Sequence, residues 1–370
     1  LLALLEDSHT GVTESSIEVH VPSFDGLHGA GMWIAVEPPR ARRLVLRALM
    51  PGHALAGTLQ PGAELLWIDG RPAKLVHREI RARCKRWHGW SSNHFLDARL
   101  SFQFFPFGEK RTISAVFLNP DGEIAEVDLQ RWGPGGRGLS RIAVTLPEGV
   151  EAGPLAVATR LPGSIGYVRI CGGMNDKTRD AFFEAFDTLR DPKPKGIILD
   201  CRGMGGGGDR PAWEMAGRFF TRKTKNGTAP PLVPTGEWQF DGPVVMLIDE
   251  RMISSAETFT WAMFETRRAV AVGRPTGGAT IIPTTFRAPS GLFSFRMGVH
   301  DRKTPIEGVQ PEGIGTQPAV FVPYEPRLLQ GDPILTIGRR TLRDGVKPIE
   351  RDEVWARMLR EHRRNPLPDC

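Results

Sequence analysis

PVVMLIDERMISSAETF, residues Pro243 to Phe259, changes its hydrophobic rhythm midway. Val244 to Ile248 is an unbroken apolar run of strand length, the pattern of a strand covered on both faces. Past Asp249-Glu250-Arg251, the residues Ala256, Phe259, Ala262 and Met263 recur at helical spacing, so the chain passes from strand to helix with Ser254 at the junction. A hydroxyl at a helix start feels the partial positive charge of unpaired N–H groups, and those groups face any anion that forms beside it. Such a position suits a nucleophile. Ser254-x-x-Glu257 is equally a capping box, in which the two side chains satisfy the first N–H groups of the helix and do nothing more. The rest of the chain has to decide between the two.

Strand and helix alternate on either side of this stretch from about residue 160. Ile165 to Ile170 reads as a strand, followed by a helix capped by Asn175 or Asp176 with Phe182, Phe183, Phe186 and Leu189 on one face. Gly196 to Asp200 is a second buried strand, running into Cys201-Arg202-Gly203-Met204 and the glycines Gly205 to Gly208, then a helix from about Pro211 to Phe220. Ala269 to Val272 is a short strand before the turn Gly273-Arg274-Pro275-Thr276-Gly277-Gly278. Repeated strand-then-helix units with glycine turns predict an α/β domain with largely parallel pairing, whose site collects at the carboxyl ends of the strands. Two such ends are Asp200 to Gly208 and Asp249 to Ser254. A glycine run can turn its N–H groups toward a substrate, as an oxyanion hole requires, although a flexible loop reads the same way.

Residues 26 to 132 are different. The glycine turn Gly26 to Gly31 enters a strand at Met32 to Val36, Leu44 to Leu49 leads into Met50-Pro51-Gly52-His53-Ala54, and Gln60-Pro61-Gly62 precedes a strand ending in Ile68-Asp69-Gly70. Between Leu44 and Pro72 this resembles a PDZ domain; after Trp87-His88-Gly89-Trp90 it departs, with a further sheet-like portion from Phe102 to Val127. The resemblance implies a groove that takes a peptide by β-augmentation, its terminal carboxylate held by N–H groups at Gly29 and Gly31. A β domain packed without a ligand is the alternative. Arg131 to Arg137 reads as a linker.

The chain has 370 residues, enough for two or three domains, and its 40% hydrophobic and 24% charged content suits a soluble globular protein. Its net charge of +6 comes from dispersed arginines, denser at Ala41 to Arg47, His77 to Arg86 and Ala356 to Arg364. No zinc-finger or aromatic-interleaved pattern accompanies them, so solvated faces are expected and a nucleic-acid partner is not. Cys84, Cys171, Cys201 and Cys370 are too scattered for a metal site or a disulfide framework. No apolar run reaches the length of a spanning helix. Leu1 to His9 reads as the end of a helix whose beginning lies upstream, in a segment removed or not included.

The segments IGYVRI, GIILDCRGMGGGG, PVVMLIDERMISSAETF, AVAVGRPTGG and EGIGTQP resemble, in the same order, those of the carboxyl-terminal processing (tail-specific) serine peptidases, including the tricorn core. The resemblance implies a crotonase-like (ClpP/crotonase) α/β catalytic domain with an inserted or preceding PDZ-like β domain, no cofactor, and a location outside the cytoplasm, periplasmic or secreted. It implies Ser254 as nucleophile, with oxyanion donors from Gly205 or Gly206 and from the N–H of Ser255. Members with a Ser-Lys dyad carry the lysine in a P-T-x-G-K turn, where this chain has Pro275-Thr276-Gly277-Gly278-Ala279, and Ala279 cannot take a proton. The tricorn-like branch uses a Ser-His pair near the front and a glutamate in E-G-x-G-V-x-P-D. Ser8-His9 and Glu312-Gly313-Ile314-Gly315-Thr316-Gln317-Pro318 resemble these, with Thr316 for the valine and Ala319 for the aspartate.

On that basis His9 takes the Ser254 proton, Glu312 orients and charge-stabilises the imidazole directly or through Ser8, and the glycine-loop N–H groups hold the oxyanion at about 3 kcal/mol per donor. The expected partition is a helix end at 1–25 carrying Ser8-His9, a PDZ-like domain at 26–132, a linker at 133–159, the peptidase domain at 160–345 and a helical tail at 346–370. His300, Lys303 and Glu307 are rival assignments with surface or packing roles. The expected partner is a peptide or protein substrate recognised by its carboxyl terminus. Two further readings remain: an inactive peptide-binding scaffold of the same fold, and a crotonase-type acyl-thioester enzyme, for which no phosphate-binding motif stands near the loop.

Overall fold

The computed structural model describes residues 2–15, 27–36, 43–50, 52–132, 144, 146–147, 150, 155–322 and 331–345. Gly26, most of the expected linker and the expected tail helix at 346–370 lie outside the described residues. The chain forms two compact units. The first comprises Leu1–Thr145, Pro283–Val299 and Tyr324–Asp332, and the second comprises Leu146–Ile282, His300–Pro323 and Pro333–Cys370.

In the second unit a six-stranded sheet runs in the order Ala156–Leu161, Ile165–Ile170, Gly196–Asp200, Val244–Ile248, Val270–Gly273 and Val320–Phe321. The first pair is antiparallel and the others are parallel. Side chains alternate across a strand, so Val244, Met246 and Ile248 pack with Phe182, Phe186, Met215 and Phe259 on one face. Val245 and Leu247 pack on the other with Tyr167, Ile198, Ile334 and Leu335. All five residues of the strand are buried because both faces are covered, which is why the run carries no polar alternation. Each such side chain contributes about 1.5–3 kcal/mol of burial. Helices Asp176–Asp187, Asp209–Ala216 and Ser255–Phe264 supply one covering layer and Pro333–Asp344 the other. Asn175 caps the first of these, its side chain accepting from the Thr178 N–H at 3.0 Å.

The first unit carries an antiparallel sheet ordered Met32–Val36, Leu44–Leu49, Glu64–Ile68, Thr112–Leu118 and Ile124–Gln130. The three expected strands are present. Two helices were not expected, Ala73–Trp87 and Asn93–Gln103. The former buries Ala73, Val76, His77, Ile80 and Cys84, so the arginines and lysine between Arg78 and Arg86 lie largely on the outer surface of a helix. Phe102 belongs to the second helix, and the sheet-like portion starts in earnest at Thr112. The N-terminal stretch is a 3-10 turn at Leu2–Leu5 rather than the end of an α-helix. Strand Gly11–Ser15 pairs with Phe293–His300, which in turn pairs with Ile282–Arg287. Residues 283–299, expected within the peptidase domain, therefore fold with the N-terminal segment. No helix among the described residues is long and apolar enough to cross a membrane.

Candidate active site

The carboxyl ends of two neighbouring strands, at Asp200 and Ile248, lead into the loops that build the site. Asp200 is fully buried and receives the Tyr167 hydroxyl at 2.8 Å, Arg202 Nε at 2.8 Å and the Arg202 N–H at 3.2 Å. Arg169 Nη1 lies 3.2 Å away. Burial works against this carboxylate, yet Arg202 and Arg169 hold its pKa well below the ordinary range. Asp249, at the end of the next strand, accepts from the Gly203 N–H at 2.9 Å and the Arg251 N–H at 3.1 Å. Two buried carboxylates thus pin the first turn of the glycine loop to the sheet.

Past that turn, Gly205–Gly207 runs parallel to Gly173–Met174. Gly206 lies directly against the predicted nucleophile: a Cβ at this glycine would be 2.5 Å from Ser254 Cβ and 2.9 Å from Ser254 Oγ. The Ser255 hydroxyl donates to the Gly207 carbonyl at 2.8 Å, fixing the loop against the helix start. The Gly205 N–H is directed at the Gly172 carbonyl, 3.4 Å away.

Ser254 precedes helix Ser255–Phe264 with φ 55° and ψ −126°. An ordinary N-cap residue sits in the extended region; here the Ser254–Glu257 capping box is formed from a backbone outside that region. A non-glycine residue there holds about 1–3 kcal/mol of strain. Its N–H donates to the Ala279 carbonyl at 2.8 Å and to Glu257 Oε2 at 3.2 Å.

Glu257 has no exposed surface, and its carboxylate also accepts from the Thr276 hydroxyl, the Gly278 N–H and the Ala279 N–H. Burial pushes its pKa up to about 8, against the lowering pull of Thr276 and with the charge of Glu312 adding to the rise. Glu312 takes the next two positions of the same turn: its Oε2 accepts from the N–H groups of Thr280 and Ile281 and from the Thr280 hydroxyl. Ala279, which the sequence has where the resemblance leads one to expect a lysine, is fully buried.

Ser8, His9, Gly29 and Gly31 belong to the first unit, and the rival residues His300, Lys303 and Glu307 to the second. Ser8 is tied to Ser91 through reciprocal bonds, Ser91 N–H to Ser8 Oγ at 2.9 Å and Ser8 N–H to Ser91 Oγ at 3.1 Å. The group facing His9 is Asp7, whose Oδ1 lies 3.4 Å from His9 Nδ1 and accepts the His9 backbone N–H at 2.9 Å. Burial raises the Asp7 pKa, but the His9 and Thr10 hydrogen bonds outweigh it and leave the carboxyl below its ordinary value. Asp7 was legible only as the residue two before a histidine. Gly31 has φ 70° and lies against Trp132 and His53, while the Gly29 carbonyl accepts from the Trp132 N–H at 2.9 Å. His300 and Lys303 are exposed, and the Glu307 N–H is bonded to Glu265 Oε1 at 3.2 Å.

Residues 164–320 match the family model of Peptidase family S41. This part of the chain is similar to peptidase family S41. The S41 region makes the protein a serine-type peptidase with a mixed α/β fold, and its relatives agree. The chain is 24% identical over 339 residues to the carboxyl-terminal-processing protease of Synechocystis sp., covering 86% of this chain and 70% of that protein. It is 27% identical over 177 residues to the carboxy-terminal processing protease CtpA of Bacillus subtilis, covering 46% of this chain and 37% of that one. The solved structure of mature CPAF shares the fold with a TM-score of 0.63, across 94% of this chain and 88% of that chain, at 14% identity.

Proposed function

We propose that this S41 peptidase cleaves protein tails through an acyl-enzyme formed on Ser254. The observation that carries this reading is the strained Ser254 backbone, held with its Oγ against Gly206. Strain of that kind persists only where surrounding structure enforces it, and here it presents a hydroxyl to a glycine loop at a helix start.

In the mechanism, His9 takes the Ser254 proton as the hydroxyl attacks the scissile carbonyl, and then protonates the leaving amine. Closure of Asp7, whose Oδ1 lies 3.4 Å from Nδ1, onto the ring sets the tautomer of His9. The expected contribution of Glu312 passes through its second oxygen, because Oε2 is committed to the Thr280–Ile281 turn. The oxyanion is held by N–H groups of the glycine loop and of Ser255. Gly206 takes precedence over Gly205 as the loop donor, since the Gly205 N–H faces Gly172. The second unit is read as crotonase-like and the first as PDZ-like, receiving the substrate's carboxyl terminus at Gly29–Gly31.

A fluorophosphonate probe tests the core of this reading. The wild-type chain is expected to be labelled at Ser254, with S254A unlabelled and H9A labelled at least a hundred-fold more slowly. Absence of labelling in a folded wild-type chain overturns the proposal in favour of a peptide-binding scaffold. Tail recognition is tested separately with peptides ending in a free or an amidated carboxyl group. Equal cleavage of both overturns carboxylate capture and leaves the peptidase reading standing.

A further inference from the structure

A capping-box glutamate serves one helix end, and its carboxylate normally lies at the surface. Glu257 does more. Besides the Ser254 N–H, it receives three donors that have no part in the helix: the Thr276 hydroxyl and the N–H groups of Gly278 and Ala279. Its Oε2 bridges the Ser254 N–H and the Ala279 N–H, each at 3.2 Å, while Ser254 N–H also donates to the Ala279 carbonyl. The nucleophile and the turn from Thr276 to Ala279 are thereby joined through one carboxylate. That turn is bonded onward: Thr276 Oγ1 accepts the Thr316 N–H at 2.6 Å, and Gly313 N–H donates to the Gly278 carbonyl at 2.8 Å.

Among the described residues no ion pair to Glu257 is present, although its side chain is entirely buried. A helix cap does not require burying a carboxyl group in either protonation state, and an apolar residue at this inward-facing position would pack without that cost. The cost makes sense if the oxygens hold a geometry that backbone preferences oppose. Ser254 at φ 55° is such a geometry.

We propose that Glu257 is a positioning residue of the peptidase reaction, locking the Ser254 backbone and the Thr276–Ala279 turn into the one arrangement that sets the hydroxyl against the glycine loop. The inference rests on Ser254 being the nucleophile. It differs from the cap in what it predicts: a cap stabilises the helix, whereas a positioning residue changes the rate of each correctly folded molecule.

The variant E257Q separates them. Its amide oxygen can replace only one of the two carboxyl oxygens, and its NH2 group, unlike a carboxylate oxygen or a carboxyl OH, cannot accept, so two of the donors lose their partner. Activity is measured on fluorescein-labelled casein and divided by the concentration of sites that a fluorophosphonate titrates to completion, with the melting temperature recorded alongside. The expected result is a kcat per titrated site lowered by about 10- to 100-fold, the scale set by small misplacements of reacting groups, with KM within about two-fold. A purely structural role would lower the melting temperature and the number of titratable sites but leave kcat per site unchanged, and that result overturns the proposal. Should E257Q not fold, T276V is read in the same way, since it removes one donor to Glu257. Its expected loss is about 3- to 10-fold in kcat per site, and an unchanged value is equally decisive against the proposal. A wild-type chain that titrates poorly, with S254A no different, overturns the Ser254 assignment itself and Glu257's role with it.

Discussion

Replacing Gly206 with alanine probes the proposed contact between nucleophile and glycine loop. The added Cβ would sit 2.5 Å from Ser254 Cβ, 2.9 Å from Ser254 Oγ and 3.3 Å from the Ile253 carbonyl oxygen. Carbon atoms pack at about 3.5–4.0 Å, so the loop or the serine must retreat by about 1 Å. Crowding of this size costs about 1–3 kcal/mol of stability, a fall of several degrees in melting temperature for a domain of this size. A displacement of about 1 Å at reacting atoms costs about 100-fold in rate, equivalent to about 2.7 kcal/mol of barrier. The loss in kcat/KM for casein should therefore exceed what the change in stability implies, because the enzyme remains folded at assay temperature. G205A is the companion, since its nearest new neighbour is Gly173 Cα at an ordinary 3.6 Å, and its loss should stay within about ten-fold. Wild-type kcat/KM in G206A, or an equal loss in both variants, would refute the placement of Gly206 against the serine hydroxyl.

Three further outcomes follow from the same geometry. S254G should abolish hydrolysis yet raise the melting temperature by a few degrees, because glycine adopts positive φ without the strain of about 1–3 kcal/mol that Ser254 carries; differential scanning calorimetry reads this, and a lower melting temperature counts against the strain. Glu257 has a folded pKa raised from 4.5 to about 8, so between those values the folded chain keeps a proton that the unfolded chain has released. Its stability should fall as pH rises through that window, by up to about 1.4 kcal/mol per unit, and E257Q should flatten the profile of melting temperature against pH. The lowered pKa of Asp200 acts in the opposite sense and only below its unfolded value of 3.8, outside that scan. A279K should not create a Ser-Lys dyad: Ala279 is enclosed and its N–H is bonded to Glu257, so the expected result is a lower melting temperature with no gain in kcat.

What could be read in the residues alone depended on how locally each feature is encoded. The strand Val244–Ile248 and the helix after Ser254 were legible because two covered faces leave an unbroken apolar run, and one covered face leaves a helical spacing. Helix Ala73–Trp87 follows the same rule, with Ala73, Val76, Ile80 and Cys84 turned inward. Its spacing is masked because the intervening arginines and lysines read as dispersed charge as readily as a helix's outer face. The pairing of Gly11–Ser15 with Phe293–His300 left no local trace, since the register of strands so far apart in sequence is set by the fold. Glu257 was visible only as a cap, because two of its partners outside the helix are backbone N–H groups of Gly278 and Ala279, which no side-chain pattern announces. The shared turn of Glu257 and Glu312 was hidden for the same reason.

The hairpin at 283–299 has a practical corollary for anyone cutting the chain. A fragment beginning near residue 146 would keep both hairpin strands yet lack Gly11–Ser15, leaving the open flank of Phe293–His300 ready to recruit a foreign strand. The stacked rings of Phe286 and Phe295 on that ribbon would add stickiness. Expression designs should retain both termini of this ribbon's sheet, or delete the ribbon together with its N-terminal partner.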